Sequence, residues 1–337
     1  MKKQQSKKAQ LIWAVMVPLG ITAALSAFLF GSSGVSLGEL FALLGGDAQP
    51  STSIIFFSIR LPRAILALVS GGALGISGAC LQGMFKNPMA DSYVIGVSAG
   101  AALGATVAFS FSSTLAFLGF GAVSLFAFLG ALASVMTVYR LAKVHGKVST
   151  FSLLLAGVAV STLCSALVYC IMILFRDKME HIVMWTMGSF SSASWNKVVI
   201  GVPAMLVSSV LCLFFARDLN IMLQGDEAAR HLGVDAGRVR RSLLILSTIA
   251  TACAVSVSGI IGFVGLIVPH IMRLILGPDH RLLLPYSFFG GGIFLLIADT
   301  LSRVVMENQE IPVGVITALI GVPFFLFLLR RGRSVKR

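Results

Sequence analysis

Apolar residues run in blocks along the chain, at about 11–30, 61–85, 93–139, 151–175, 198–216, 242–272, 282–301 and 311–329. Blocks near 20 residues, repeated with short polar breaks, are the pattern of helices that cross a bilayer. Two blocks are too long for one crossing. Residues 93–138 carry no charge, and a single helix of that length would reach about 69 Å against a hydrocarbon core of about 30 Å. The chain is expected to fold back there, at Ser110–Ser113. The block at 242–272 is expected to split near Ser258–Gly259, which brings the crossings to ten. Each half is short, so a discontinuous or partly re-entrant pair is expected. Such backbone is tolerated where protein or a water-filled path covers it.

Charge selects ten crossings over nine. Lys2, Lys3, Lys7 and Lys8 crowd the start, and Arg330, Arg331, Arg333, Lys336 and Arg337 crowd the end. Both termini then belong in the cytoplasm, which requires an even number of crossings. In that arrangement the outer segments hold Arg60, Arg63, Arg176, Lys178, Lys197 and Arg303, and the other twenty of the 26 Lys and Arg lie inside. The first apolar block is longer than the roughly 7–15 residues of a secretory leader and reads as a retained helix.

Composition agrees. Hydrophobic residues make up 57% and charged residues 12% of the 337 positions. There is too little polar surface to coat a soluble globule, and too much apolar surface for a disordered chain. The net charge of +13 is therefore read as topological, not as a nucleic-acid footprint. Cys80, Cys164, Cys170, Cys212 and Cys253 all lie in apolar stretches without a CxxC pair, so they read as packing residues.

The chain lacks the motifs of catalysis. Gly146-Lys147 is followed by Val148, so there is no P-loop, and there is no HExxH. The five histidines are scattered. No catalytic, cofactor-binding or metal-binding residue is assigned. Asp299 sits inside a span and reads as an interfacial carboxylate paired with Arg303, four residues on. Glycines within the spans, among them Gly71, Gly75, Gly78, Gly96, Gly100 and Gly104, allow close helix approach. Asn87-Pro88, Pro269 and Pro312 suggest half-helices and unwound turns.

One inner segment departs from the rest. Residues 217–241 form the longest polar stretch on that side. Gly225 followed by Asp226 and Glu227 reads as a helix start with acids in its first turn, and Gly233 as its stop. A short exposed helix held between two spans would be a docking knob.

Several motifs then recur in a fixed order. They are Arg60-Leu61-Pro62-Arg63; Gly75 to Gly78 with Gln82; Asn87-Pro88 through Gly96-Val97-Ser98; and Met184 to Ser189. They continue with Gly225–Gly233, Gly259 to His270, Asp279-His280-Arg281, Ala298-Asp299 to Arg303, and Pro312-Val313-Gly314. In this order the chain resembles the FecCD family of ABC-importer permeases, which carry ferric siderophores, haem and cobalamin. The resemblance covers nearly the whole chain. It implies an all-α, polytopic type II ABC importer permease of about ten transmembrane helices, residues 1–337 being one permease domain. It also implies a second permease subunit, identical or paralogous, two cytoplasmic ATP-binding subunits and an extracytoplasmic substrate-binding protein. The location implied is a bacterial cell membrane.

Under that resemblance residues 217–241 are a cytoplasmic loop with a coupling helix, and Asp226, Glu227, Ala228, Arg230 and Leu232 are the expected ATPase contacts. Arg60, Arg63 and Arg303 match the family's docking arginines, expected to form exposed pairs with carboxylates of the binding protein. By position, Gly75, Gly78, Gln82, Ser161, Thr162 and Ser165 are expected along the pathway. Ferric siderophore is the first expected cargo, then haem, then cobalamin. Two other classes stay open. An ion-coupled secondary transporter would need buried ionisable residues along its path, and a membrane enzyme would need clustered acids and histidines at one interface.

Overall fold

The computed structural model describes residues 2–31, 36–45, 49–111, 121–144, 147–306 and 309–334. Ten apolar helical segments among the described residues are the candidate crossings. Seven segments are long and apolar enough to span: Gln10–Leu29, Pro50–Phe85, Ala122–Ala142, Thr150–Leu174, Trp195–Phe214, Ala236–Ser258 and His280–Val304. Three shorter apolar helices, Val97–Ser110, Val264–Leu276 and Val313–Phe327, complete the set. In chain order the helices are α1 (Lys2–Leu29), α2 (Leu37–Gly45), α3 (Pro50–Ile54), α4 (Leu61–Phe85) and α5 (Val97–Ser110). Next come α6 (Ala122–Ala142), α7 (Thr150–Leu174), α8 (Met179–Thr186), α9 (Trp195–Phe214) and α10 (Ala216–Met222). The last are α11 (Asp226–His231), α12 (Ala236–Ser258), α13 (Val264–Leu276), α14 (His280–Val304) and α15 (Val313–Ser334). A π-helical turn, Ile55–Arg60, joins α3 to α4, and a 3-10 turn, Ser92–Ile95, precedes α5. The described strands are a two-residue antiparallel pair, Lys143–Val144 with Lys147–Val148.

The fold-back within 93–139 is present. Helix α5 ends at Ser110, while Ser112 and Ser113 lie outside the described residues. The return is antiparallel: Gly100 packs on the Gly130 backbone and Gly104 on that of Phe126. The expected split of 242–272 falls where α12 ends at Ser258 and Gly259 turns the chain with φ +71°.

The central pair is α4 and α14. Helix α4 is buried almost all round, from Pro62 to Met84. A Cβ at Gly71 or Gly291 would overlap the other's backbone carbonyl, so only glycine permits this approach. The outward face of α7 is apolar instead, with Phe151, Leu155, Leu163, Tyr169 and Leu174 exposed. In a membrane such a face meets lipid or another chain, not water.

Candidate functional site

Both α4 and α14 carry polar groups at their two ends, and these define opposite ends of the bundle. Arg63 lies at one end of α4 and Lys86 follows the other. His280 opens α14 and Asp299 and Arg303 lie near its close.

At the Lys86 end the expected polar loop is mostly helical. It comprises α10, α11 and the first turns of α12. Gly225 (φ +121°) and Gly233 (φ +79°) bound α11 as the sequence predicts. Both conformations favour glycine. Asp235 caps α12, its Oδ1 accepting from the N–H groups of Gly237 and Arg238. Of the five expected contacts, Glu227, Arg230 and Leu232 are exposed, and Ala228 is half-buried. Asp226 is half-buried and also pairs within the chain. Arg240 donates to its two carboxylate oxygens at 2.9 and 2.8 Å, and Lys86 Nζ lies 3.9 Å away. Its carboxylate therefore turns back to hold α11 against α12 and α4. The Arg240 hydrogen bonds, and then the nearby positive charges, hold its pKa below the usual carboxylate value.

Asn220 of α10 makes a second tie at this end. Its Nδ2 donates to Asp279 Oδ1 at 2.6 Å, and its Oδ1 accepts from the His280 backbone N–H at 2.9 Å.

Midway along the bundle the two interruptions meet. Tyr93, in the turn before α5, hydrogen-bonds both backbone groups of Ile261 in the unwound segment after α12. The same segment is held by Ser189 N–H donating to Ser258 O at 2.7 Å. Phe263 sits at φ +68°, a left-handed conformation that costs a non-glycine residue about 1–3 kcal/mol. An apolar cavity of about 590 Å³ opens beside it, lined in part by Met187, Ile260, Phe263, Val315 and Leu319. Toward the Asp299 end a cavity of about 640 Å³ carries Glu180, Ser189, Ser192, Ser258 and Glu310. Asp91, beside the Tyr93 turn, accepts from Ser92 Oγ at 3.2 Å.

The expected pathway residues divide. Gly75 lies against Ser287 O and Gly78 against Gly265 O, both too close for any side chain. Gln82 is 1% exposed, its Nε2 donating to the carbonyls of Gly265 and Leu266 at 3.3 Å. Within this chain, backbone of α13 and α14 lies against all three. On α7, Ser161 and Ser165 are half-buried and Thr162 is exposed.

The arginine end also departs from expectation. Arg60 is 4% and Arg63 7% exposed, and the Arg303 side chain 6%. They are not free surface charges. Arg63 donates from Nε and Nη2 to Asp299 at 3.0–3.1 Å and from Nη1 to Glu310 at 3.0 Å. Arg303 Nη2 lies 3.4 Å from Asp299 Oδ2, so the i,i+4 pair read from the sequence is present. Its Nη1 donates to the carbonyls of Ala27 and Phe30, and Arg60 donates to that of Phe28. Two arginines thus cap the open carbonyls at the end of α1.

Tyr93, Asn220 and Arg240 escaped the sequence reading. Their partners lie 14 to 168 residues away along the chain, and no local motif marks them.

Residues 6–331 match the FecCD transport family. The cobalamin import system permease protein BtuC of Halobacterium salinarum is 47% identical over 83% of this chain and 75% of its own length. The hemin transport system permease protein HmuU of Yersinia pestis is 39% identical over 96% of this chain and 97% of its own. A solved structure described as an inward-facing conformation of a metal-chelate type ABC transporter superposes with a TM-score of 0.85 at 31% identity. That match covers 96% of this chain and 99% of the other.

Proposed function

The chain belongs to the FecCD transport family and is a permease subunit of an ABC importer, and we propose that it pairs with a second permease and two cytoplasmic ATP-binding subunits to import a metal chelate. The observation that carries this reading is α11. Its anchored side is tied by Asp226 to Arg240 and Lys86, while Glu227, Arg230 and the 58% exposed Leu232 face outward. A short helix fixed on one side and open on the other can receive a push from an ATPase and pass it to the spans. The 217–241 segment is the cytoplasmic coupling segment in this reading, and residues 1–337 form one permease domain. Both termini lie in the cytoplasm, following the distribution of Lys and Arg.

At the opposite end Arg60, Arg63 and Arg303 support docking of an extracytoplasmic binding protein. Being buried, they fix the shape of that surface and leave Glu310, with its side chain 34% exposed, as a charge for the partner. The pathway runs between two permeases, with Ser161, Thr162 and Ser165 of α7 toward it. The cargo classes are cobalamin, haem and ferric siderophore. The 47% identity with a cobalamin permease moves cobalamin ahead of the siderophore expected first. The ion-coupled alternative loses its leading residue, since Asp299 is held by Arg63 and Arg303.

The test is affinity purification of the tagged chain from its native membrane in mild detergent. A stoichiometric ATPase bearing a P-loop is expected, and its loss on replacing Leu232 with Glu supports the α11 contact. Elution of the chain alone would contradict the reading.

A further inference from the structure

Helix α10 joins the α11 segment to the rest of the chain, and Asn220 is the side chain by which it reaches α14. The amide is used at both ends. Nδ2 donates to Asp279 Oδ1 at 2.6 Å, and Oδ1 faces both the His280 backbone N–H and His280 Nδ1 at 2.9 Å. An amide oxygen can only accept, so His280 Nδ1 carries the proton toward it. His280 Nε2 then has no hydrogen-bond partner among the described residues, and a neutral ring is the form that burial tolerates. The residue is 1% exposed. Its ring fills the space beside Gly83 of α4, where any Cβ would collide with Nε2. Asn220, Asp279 and His280 therefore make a part-buried polar joint between α10, the start of α14 and the end of α4.

The joint closes one end of the most extensively packed helix pair in the chain. Along that pair Gly71 meets Gly291 and Gly75 meets Ser287, backbone against backbone. The far end is closed by Arg63 on Asp299 at 3.0 Å. From Asp279 to Asp299 the helix spans about 30 Å at ~1.5 Å per residue. Two helices in backbone contact, clamped at both ends, move as one body. A joint of several linked hydrogen bonds resists displacement, because displacement leaves its polar groups unpaired.

We propose that Asn220 is a positioning residue, which passes displacement of α11 through Asp279 and His280 to the α4–α14 pair and so to the Arg63–Asp299–Glu310 end. This rests on the coupling role of α11 proposed above. It adds a route through α14 beside the Asp226 ties, which lead to α12 and, through Lys86, to the end of α4.

The test uses the complete complex, with its ATPase and binding protein, in proteoliposomes, and follows ATP hydrolysis and cobalamin uptake together. Asn220→Asp sets a carboxylate against Asp279 in place of the amide donor. Uptake per ATP should fall about tenfold, within the usual range of coupling energies, with hydrolysis largely retained. The double variant N220D/D279N restores a donor and an acceptor with their places exchanged. In the wild type one oxygen, Asp279 Oδ1, serves both Asn220 and the Arg281 N–H; an Asn at 279 divides these roles between Nδ2 and Oδ1, so uptake per ATP should recover in part. Normal coupling in N220D, or no recovery in an assembled double variant, would overturn the inference. So would failure of N220D to assemble, which would mark Asn220 as structural support only. If the wild type hydrolyses ATP and imports cobalamin while N220D is unaffected, this inference alone falls. If the wild type assembles with no ATPase, the coupling role of α11 falls and takes the inference with it.

Discussion

The phenol oxygen of Tyr93 donates to the carbonyl of Ile261 at 2.5 Å and accepts from the same residue's amide at 3.2 Å. One hydroxyl thus satisfies both backbone groups of a residue in unwound chain. It also ties together two interruptions, the turn before α5 and the segment between α12 and α13. Unwound backbone inside a bilayer persists only when side chains or neighbouring helices take up its polar groups.

Removing that hydroxyl isolates its effect. Tyr93→Phe keeps the ring and leaves the Ile261 N–H and C=O without this partner. Each buried unmet group costs about 1–3 kcal/mol, so the variant should melt at lower temperature in detergent. An unchanged melting temperature would contradict the latch.

The charge cluster at the other end should respond more strongly. Asp299 is 0% exposed and faces both Arg63 and Arg303. Replacing it with Leu leaves the Arg303 guanidinium without this carboxylate and Arg63 with Glu310 alone, at about 3–5 kcal/mol for a broken buried pair. Asp177→Asn breaks an exposed pair with Lys178 and should change stability by less than about 1 kcal/mol. Comparing thermal inactivation of the two variants checks the contrast.

Gly78 has no room for a methyl group, because the Gly265 carbonyl occupies the place of its Cβ. Gly78→Ala must push α4 from α13, and overpacking of this kind costs about 1–3 kcal/mol or more. Gly233→Ala meets open space and strains only its own backbone at φ +79°, at about 1–2 kcal/mol. The yield of monodisperse protein should therefore fall further for Gly78→Ala.

Acid should loosen α11 before it loosens the spans. Arg240 holds the Asp226 pKa below its ordinary value of 3.8. The stabilisation from this lowered pKa is full above the unfolded value and is lost as pH falls through the depressed one. Hydrogen exchange of residues 226–240 should show constant protection near neutrality and a loss under strongly acid conditions. Arg240→Gln should remove that transition.

The architecture was largely legible because bilayer physics writes it locally. The charge-free length of 93–138 demanded a reversal, and α5 does end at Ser110. The split at Ser258–Gly259 followed from an even count of crossings, and φ +71° at Gly259 is its structural form. Gly225 and Gly233 marked α11 for the same reason, since only local backbone geometry is involved. The arginines were harder. Arg63 meets Asp299 across 236 residues, and nothing beside Arg63 in the sequence says that its charge turns inward. Gly75 and Gly78 were ambiguous in the sequence, because a small residue suits a pathway wall and a tight helix contact equally well. Asn220 and Tyr93 act through partners that only the fold brings near.

The most direct test of the account is uptake into sealed vesicles containing this chain with its ATPase and binding protein. The account predicts import that requires ATP, requires the binding protein and survives collapse of the proton and sodium gradients. Import without the ATPase, driven by a proton or sodium gradient, would contradict it.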